Sequence, residues 1–200
     1  MQYNKILVVA TANVGKVNEI RELLKKLPLI VQSSKEIGFT KEIIEDAGTF
    51  EGNALKKARS VFPFARTWTI ADDSGLCIDA LGGLPGVYSG RWAGNDRSQI
   101  VSHTLQTLQE KRINNRNATF VSALALITPD ASEYVFFGKL TGHIVHIPRG
   151  GQRVSLPYDT IFQPEGSSRT FAEMSDSEKN KISHRGKAFQ QLILFLTKYL

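Results

Sequence analysis

Two neighbouring carboxylates, Asp72 and Asp73, close an apolar run and are followed by Ser74-Gly75. A hard divalent cation such as Mg²⁺ takes oxygen ligands and keeps several waters. One or two carboxylates, together with substrate phosphates, usually hold it. Glu45, in the stretch before the next helical pattern, could supply a further oxygen. On these residues alone a plainer reading stays open, in which Asp72 and Asp73 cap a following helix. A second group is Thr11-Ala12-Asn13-Val14-Gly15-Lys16. It joins an apolar run to an amphipathic one, and backbone N–H groups at a helix start carry partial positive charge. Lys16 adds a full charge, while Thr11 and Asn13 add side-chain donors; together they suit a triphosphate. An ordinary strand-to-helix turn with an exposed lysine fits the spacing equally well. The loop is not of the Walker type: Ala10 stands at the first glycine and Val17 at the hydroxyl that would hold Mg²⁺. A third group is Ser183-His184-Arg185-Gly186 with Lys179 nearby. It could hold an anion or a base edge, or be a solvated basic helix terminus.

Other reactive side chains carry less. His143 and His146, three apart on an expected strand, point to opposite faces and do not share a metal. His103 reads as a helix-surface residue. Cys77 is the single cysteine of the chain, so no internal disulfide or cysteine-rich zinc site forms. Its apolar surroundings favour a small buried hydrophobe over a nucleophile, and such sparing use of cysteine fits a reducing, cytoplasmic setting.

The elements that must position these groups follow from periodicity. Ile6–Ala10 is a continuous apolar run, expected to be a strand covered on both faces. Val17, Ile20, Leu24 and Leu27 recur at helical spacing, and Pro28 ends that helix before a strand at Leu29-Ile30-Val31. The opening is therefore βαβ-like. Ser33 to Glu36 resembles a capping box for a short helix. Thr49 caps a helix expected to reach Arg59. Thr67–Ala71 is expected as a short strand that Asp72 and Asp73 end, opening a turn at Ser74-Gly75. Residues 82–95, rich in glycine, form a structured loop, and Arg97–Lys111 a helix. Ala118–Thr128 and Glu133–Ile147 read as an antiparallel hairpin turned at Pro129-Asp130. Ser175 and Glu178 form a second capping box. Phe189, Leu192, Ile193, Leu196 and Leu200 share one face of a C-terminal helix. Parallel and antiparallel elements in one chain predict a mixed-sheet α/β domain covering residues 1–200.

With 200 residues, 42% of them hydrophobic, the chain can bury one sizeable core or two small lobes sharing a sheet. Charged residues at 22% and aromatics at 9% exclude the disordered class. The net charge of +6 suits polyanions, nucleotides and nucleic acids alike. No apolar run approaches membrane-spanning length, so no membrane partner is expected.

Taken together, the blocks resemble the inosine/xanthosine triphosphate pyrophosphatase family, also called Ham1-like. Thr11, Asn13, Gly15 and Lys16 meet its opening pattern. Gly48–Ala54 with Lys57-Ala58-Arg59 resembles its second block. Ala71-Asp72-Asp73-Ser74-Gly75-Leu76 is its most recognisable element, continued by Leu81–Ser89. Phe171–Met174, Glu178–Asn180 and Ile182–Ala188 match the closing block. The blocks stand in family order over nearly the whole chain.

The resemblance implies an elongated α/β fold of two lobes around a central cleft, a homodimer, and hydrolysis of ITP, dITP and XTP to monophosphate and pyrophosphate. It implies Mg²⁺ as cofactor, a small-molecule nucleotide as the partner, and no stable nucleic acid partner. By carry-over, Thr11, Asn13, Gly15 and Lys16 hold phosphates. Glu45 and Asp73 are the metal carboxylates, Asp73 is also the general base, and Asp72 supports them. Ser74 touches substrate, and Tyr158, Asp159, Lys179, His184 and Arg185 line the nucleotide pocket. One block departs: the family's Phe-Gly-Tyr-Asp-Pro is here Leu156-Pro157-Tyr158-Asp159-Thr160. An aliphatic replaces the aromatic expected to stack on the base, and a rigid proline replaces the glycine. Two alternatives accompany the main reading. One is a pyrophosphatase for other modified nucleotides; the other is a non-catalytic nucleotide- or RNA-binding protein on the same fold.

Overall fold

The computed structural model describes residues 5–94, 96–151 and 156–200. Six strands form one mixed sheet in the order β2-β1-β3-β4-β5-β6. The chain runs β1 (Lys5–Val9), α1 (Val14–Leu24), β2 (Leu29–Ser33), α2 (Phe50–Ala65), β3 (Trp68–Ile78), α3 (Ile100–Glu110), β4 (Asn117–Ile127) and β5 (Glu133–Ile144). β6 (Phe162–Pro164), α4 (Asp176–Ile182) and α5 (His184–Leu196) complete it. β1 pairs in parallel with β2, from Lys5↔Leu29 to Val9↔Ser33, and with β3, from Leu7↔Trp68 to Val9↔Ile70. Parallel neighbours need a crossover, which α1 supplies between β1 and β2. β5 and β6 are antiparallel. Gly142 permits that close pairing, since a Cβ there would stand 2.3 Å from the Gln163 carbonyl.

Contacts divide the chain into two units. The first comprises residues up to Asp73, Ser122–Phe137 and Gly186–Leu200. Its strands are apolar on both faces, and the period of two sorts the side chains. Leu7, Val9, Ile70, Leu124 and Leu126 pack with Ile20 and Leu24 of α1 and with Phe189, Leu192 and Leu196 of α5. Val8, Ala10, Ala71, Ala123, Ala125 and Ile127 pack with Ala54, Ala58 and Val61 of α2. Each fully buried Leu, Val or Phe contributes about 1.5–3 kcal/mol. The small alanines of the second face let α2 lie close to the strands.

The second unit comprises Ser74–Val121 and Gly138–Arg185. Leu76, Ile78, Ile100, Leu108, Ile144 and Ile161 pack there with Phe120, Tyr158, Phe162 and Phe171. Phe120 meets Phe162 edge-on at 4.6 Å between centroids, an arrangement the ring quadrupoles favour.

Several expectations need correction. Ser74-Gly75 is not a turn: β3 runs uninterrupted from Trp68 to Ile78, so Asp72 and Asp73 lie mid-strand and cap no helix. Ser33 and Glu36 make both capping-box hydrogen bonds, but only a turn follows. Gly38, at φ +81°, ends it at once. α2 continues past Arg59 to Ala65, with Pro63 inside it. Its end is set by Arg66 in the left-handed region, whose N–H bonds the Phe62 carbonyl. α1 begins at Val14, earlier than the loop reading implied, because Asn13 caps it. His146 lies beyond the end of β5, and Cys77 is only half-buried.

Candidate active site

In the first unit, β3 delivers Asp72 and Asp73 into a buried polar cluster, 1% and 5% exposed. Such burial is tolerated because every carboxylate oxygen has a partner. Asp72 is held by Lys16 at 2.7 Å on Oδ2 and by the Ser122 hydroxyl at 2.7 Å on Oδ1. Lys57 Nζ lies 2.7 Å from Asp73 Oδ1, and Asn53 Nδ2 donates to Asp73 Oδ2 at 3.3 Å. Lys57 also reaches Glu45 at 3.4 Å. Burial raises the Asp73 carboxyl above the ordinary aspartate range; the charge of Glu45 adds to this, against the pull of Lys57 and Lys16. Burial would also raise Glu45, but Lys57, a hydrogen bond with Asp73 and the charge of Lys16 bring it below its ordinary value. Asp73 is therefore the member of the pair that holds a proton longer.

The Thr11–Lys16 segment closes onto α1. Asn13 accepts the Lys16 N–H at 3.1 Å as the N-cap, and Thr11 Oγ1 accepts the Asn13 N–H at 3.2 Å. Both side chains thus act as acceptors that shape the loop, where the sequence suggested donors to a ligand. The α1 terminus keeps the character of an anion site, with Gly15 half-buried in its first turn.

In the second unit Lys179, His184 and Arg185 are all buried, so the reading of a solvated basic terminus fails. Lys179 Nζ pairs with Asp159 at 2.8 Å and stands 5.3 Å from the centroid of the Phe171 ring. Arg185 donates to Ser74 Oγ at 2.8 Å. The His184 imidazole lies parallel to the Phe120 ring, 4.5 Å between centroids and 6° between planes. Asp159 sits on the turn Pro157–Thr160, where Pro157 occupies the first helical position. Proline is preorganised for that position, which accounts for its presence there. Tyr158 donates to the Ser89 carbonyl at 3.2 Å, and burial raises its phenol well above the ordinary tyrosine range.

The first cluster thus brings together Lys16, Glu45, Asp72 and Asp73, with Thr11, Asn13 and Gly15 in the loop that carries Lys16. The second brings together Ser74 with Arg185, Asp159 with Lys179, and Tyr158 and His184 around Phe120. Sequence reasoning missed Asn53, Lys57 and Ser122 in the first cluster and Phe120 in the second. One signal was present: Asn53 and Lys57, four apart, share the face of α2 with Ala54, Ala58 and Val61. Polar residues at core positions of a helix need a buried partner. Ser122 and Phe120 carried no such signal, being ordinary residues of an apolar strand.

Among the described residues no three His, Cys, Asp or Glu side chains converge as a metal site. The donors present are two carboxylates, Glu45 and Asp73, close enough to share a hydrogen bond. An oxygen-only pair of this kind fits a hard cation completed by waters and phosphate oxygens.

Comparison with known proteins agrees with this picture. The Ham1 family model matches residues 7–195. A dITP/XTP pyrophosphatase of Leuconostoc mesenteroides is 43% identical over 190 residues, covering 93% of this chain and 94% of that protein. One from Bacillus subtilis is 43% identical over 190 residues, with 94% and 95% covered. A HAM1 protein from Coxiella burnetii superposes with a TM-score of 0.86 at 35% identity, over 97% of this chain and 99% of that one. The Staphylococcus aureus Ham1 protein gives 0.83 at 33% identity, over 98% and 100%. Matched from the first strand to the last helix in sequence and in fold, the chain belongs to the Ham1 family.

Proposed function

We propose that this chain hydrolyses ITP, dITP and XTP to the nucleoside monophosphate and pyrophosphate, with Mg²⁺ held by Glu45 and Asp73. The observation that carries the reading is the Glu45–Lys57–Asp73 cluster, in which Lys57 Nζ lies 2.7 Å from the buried Asp73 and 3.4 Å from the half-buried Glu45. The names of the relatives, dITP/XTP pyrophosphatase, point to two of these substrates.

In this mechanism Mg²⁺, when bound, neutralises the triphosphate and polarises the phosphorus. The first-turn N–H groups of α1, with Thr11, Asn13 and Gly15, cradle phosphate oxygens. Asp73 accepts a proton from water as its oxygen attacks the α-phosphorus in line. The bond from that phosphorus to the α–β bridging oxygen breaks, and pyrophosphate leaves. Lys16 stabilises the charge on the departing group. Its ion pair with Asp72 holds it in place beforehand, and Asp72 is in turn fixed by Ser122. Lys57 keeps the two carboxylates from repelling each other apart.

The second cluster receives the nucleotide base, with Ser74 touching substrate. Arg185 is a donor, and hypoxanthine and xanthine present an oxygen at C6 where adenine presents an amino group. A mismatched polar pair in a dry pocket is costly, so ATP is rejected. His184, Lys179, Asp159 and Tyr158 complete the pocket wall.

We extend the proposal to the molecule as a whole: residues 1–200 act as one domain of two lobes, in a cytoplasmic homodimer, with no stable nucleic acid partner. Family resemblance supports the dimer, and the sparing use of cysteine supports the location. No helix among the described residues is long and apolar enough to cross a membrane.

The test is a screen of nucleoside triphosphates with Mg²⁺, scoring pyrophosphate against orthophosphate. Pyrophosphate from ITP, dITP and XTP but not ATP is expected. Orthophosphate as the only initial product overturns the cleavage site. Preference for a modified pyrimidine would move the chain to the alternative substrate class. No hydrolysis, combined with RNA binding tighter than about 1 µM at physiological salt, would favour the binding protein.

A further inference from the structure

Asn53 lies on the first turn of α2, fully buried, and both ends of its amide are used. Its Oδ1 accepts the backbone N–H of Ala47 at 2.9 Å, and its Nδ2 donates to Asp73 Oδ2 at 3.3 Å. The first bond grips the segment that carries Glu45, two residues before Ala47. The second grips the strand that carries Asp73. These two bonds also fix which way the amide faces, because its oxygen must meet an N–H and its nitrogen a carboxylate. Gly52 adds a second hold on the same segment. A Cβ at Gly52 would stand 2.7 Å from the Ala47 Cβ and 3.0 Å from Thr49 Oγ1, so the segment rests directly on the helix. Four residues further along α2, Lys57 takes the other oxygen of Asp73 and reaches Glu45. Lys57 acts through charge. Asn53 is neutral and acts through geometry.

We propose that Asn53 is a positioning residue for the metal site, fixing the Glu45 segment and the Asp73 carboxylate at one separation, with Gly52 providing the room. The inference rests on the reading of Glu45 and Asp73 as the metal carboxylates. Its physical basis is that hydrogen bonds behind metal ligands orient them before the ion arrives, and losing such a bond costs about 10–100-fold in metal affinity. Asn53 reaches the reaction only through the Glu45 segment and the Asp73 carboxylate, so its loss shows in the metal first.

Asn53→Ala removes both bonds, and Asn53→Leu removes them while filling the space. Gly52→Ala leaves the amide intact but lifts the Glu45 segment. Mn²⁺ serves as the probe, titrated against each purified protein and read by electron paramagnetic resonance. The Mg²⁺ dependence of ITP hydrolysis is measured beside it. For the Asn53 variants, Mn²⁺ affinity is expected to fall about 10–100-fold. The Mg²⁺ concentration for half-maximal rate should rise in step, and KM for ITP at saturating Mg²⁺ should change by less than about threefold. Gly52→Ala should move the same quantities in the same direction. Folded Asn53 variants that bind Mn²⁺ within about threefold of wild type overturn the inference. Loss of a cooperative melt in all three variants also overturns it, since the role would then be one of folding alone. Wild-type protein that hydrolyses ITP without binding Mn²⁺ overturns it too, and leaves the pyrophosphatase reading standing. Asn53-dependent Mn²⁺ binding by a chain that hydrolyses no nucleoside triphosphate does the reverse.

Discussion

At the scale of single residues, Asp73 carries the sharpest expectation. It is buried, holds its proton longer than Glu45, and is contacted by Lys57 and Asn53. Asp73→Asn keeps the shape of the side chain but cannot take a proton from water. Turnover should drop at least about a hundredfold, with a melting profile close to wild type. Purified variant protein with near-wild-type kcat would remove Asp73 from its role. Leu156 carries a different expectation. It is half-buried and immediately precedes the Pro157–Thr160 turn. An aromatic face against a base is worth roughly 1–3 kcal/mol, of which an aliphatic recovers only part. Leu156→Phe should therefore lower KM for ITP, as measured by steady-state kinetics with kcat followed in parallel. An unchanged or raised KM would show that this position does not face the base. Much of the site was legible in single residues: Lys16, Glu45, Asp72 and Asp73 do meet in one cluster. Their partners Asn53, Lys57 and Ser122 were not, because they approach Asp72 and Asp73 from other elements, Ser122 from fifty residues away in the chain. Composition and spacing cannot place such residues.

At the scale of elements, apolar periodicity gave β1, α1, β2, the β4–β5 pair and α5 close to their observed bounds. It failed at β3. Asp-Asp-Ser-Gly has the composition of a turn, and local chemistry favours one. The strand continues there because buried cations and hydroxyls from other elements satisfy both carboxylates, a tertiary effect that outweighs the local preference. The turn after β2 shows the opposite balance, with its local chemistry intact but no helix following. Glu36 accepts the Ser33 N–H at 2.6 Å and pairs with Arg21 at 2.7 Å. The Ser33 backbone first, then Arg21 and the Ser33 hydroxyl, lower the Glu36 carboxyl to about 2. Depressed in the folded chain, it contributes stability that is complete above the ordinary glutamate value of 4.5 and is lost as pH falls toward about 2. Because the side chain is 47% exposed, solvent screening limits the whole effect to about 1 kcal/mol. Glu36→Gln should lower the unfolding free energy from urea titration at pH 7 by that amount and leave it unchanged near pH 2. An equal loss at both pH values would show that the charge contributes nothing.

At the scale of the whole molecule, each unit is assembled from separated stretches of chain. The first needs Gly186–Leu200, because Phe189, Leu192 and Leu196 cover the face of Leu7, Val9 and Ile70. Leu192→Ala should cost about 2–5 kcal/mol of unfolding free energy in urea titration, the range for a large core truncation. A loss below about 1 kcal/mol would mean that α5 is a cover the core can do without. The same arrangement has a consequence for how the protein is born. At roughly 5–20 residues per second, a ribosome takes about ten to forty seconds to make 200 residues. Throughout that time β1, α1 and β2 exist without the helix that closes their core, and their apolar face is open to other chains. Folding of the first unit thus waits until Gly186–Leu200 has been made. A message broken before the codons of α5 yields a polypeptide with one side of its oldest strands uncovered, a product that chaperones and proteases can recognise by that side alone.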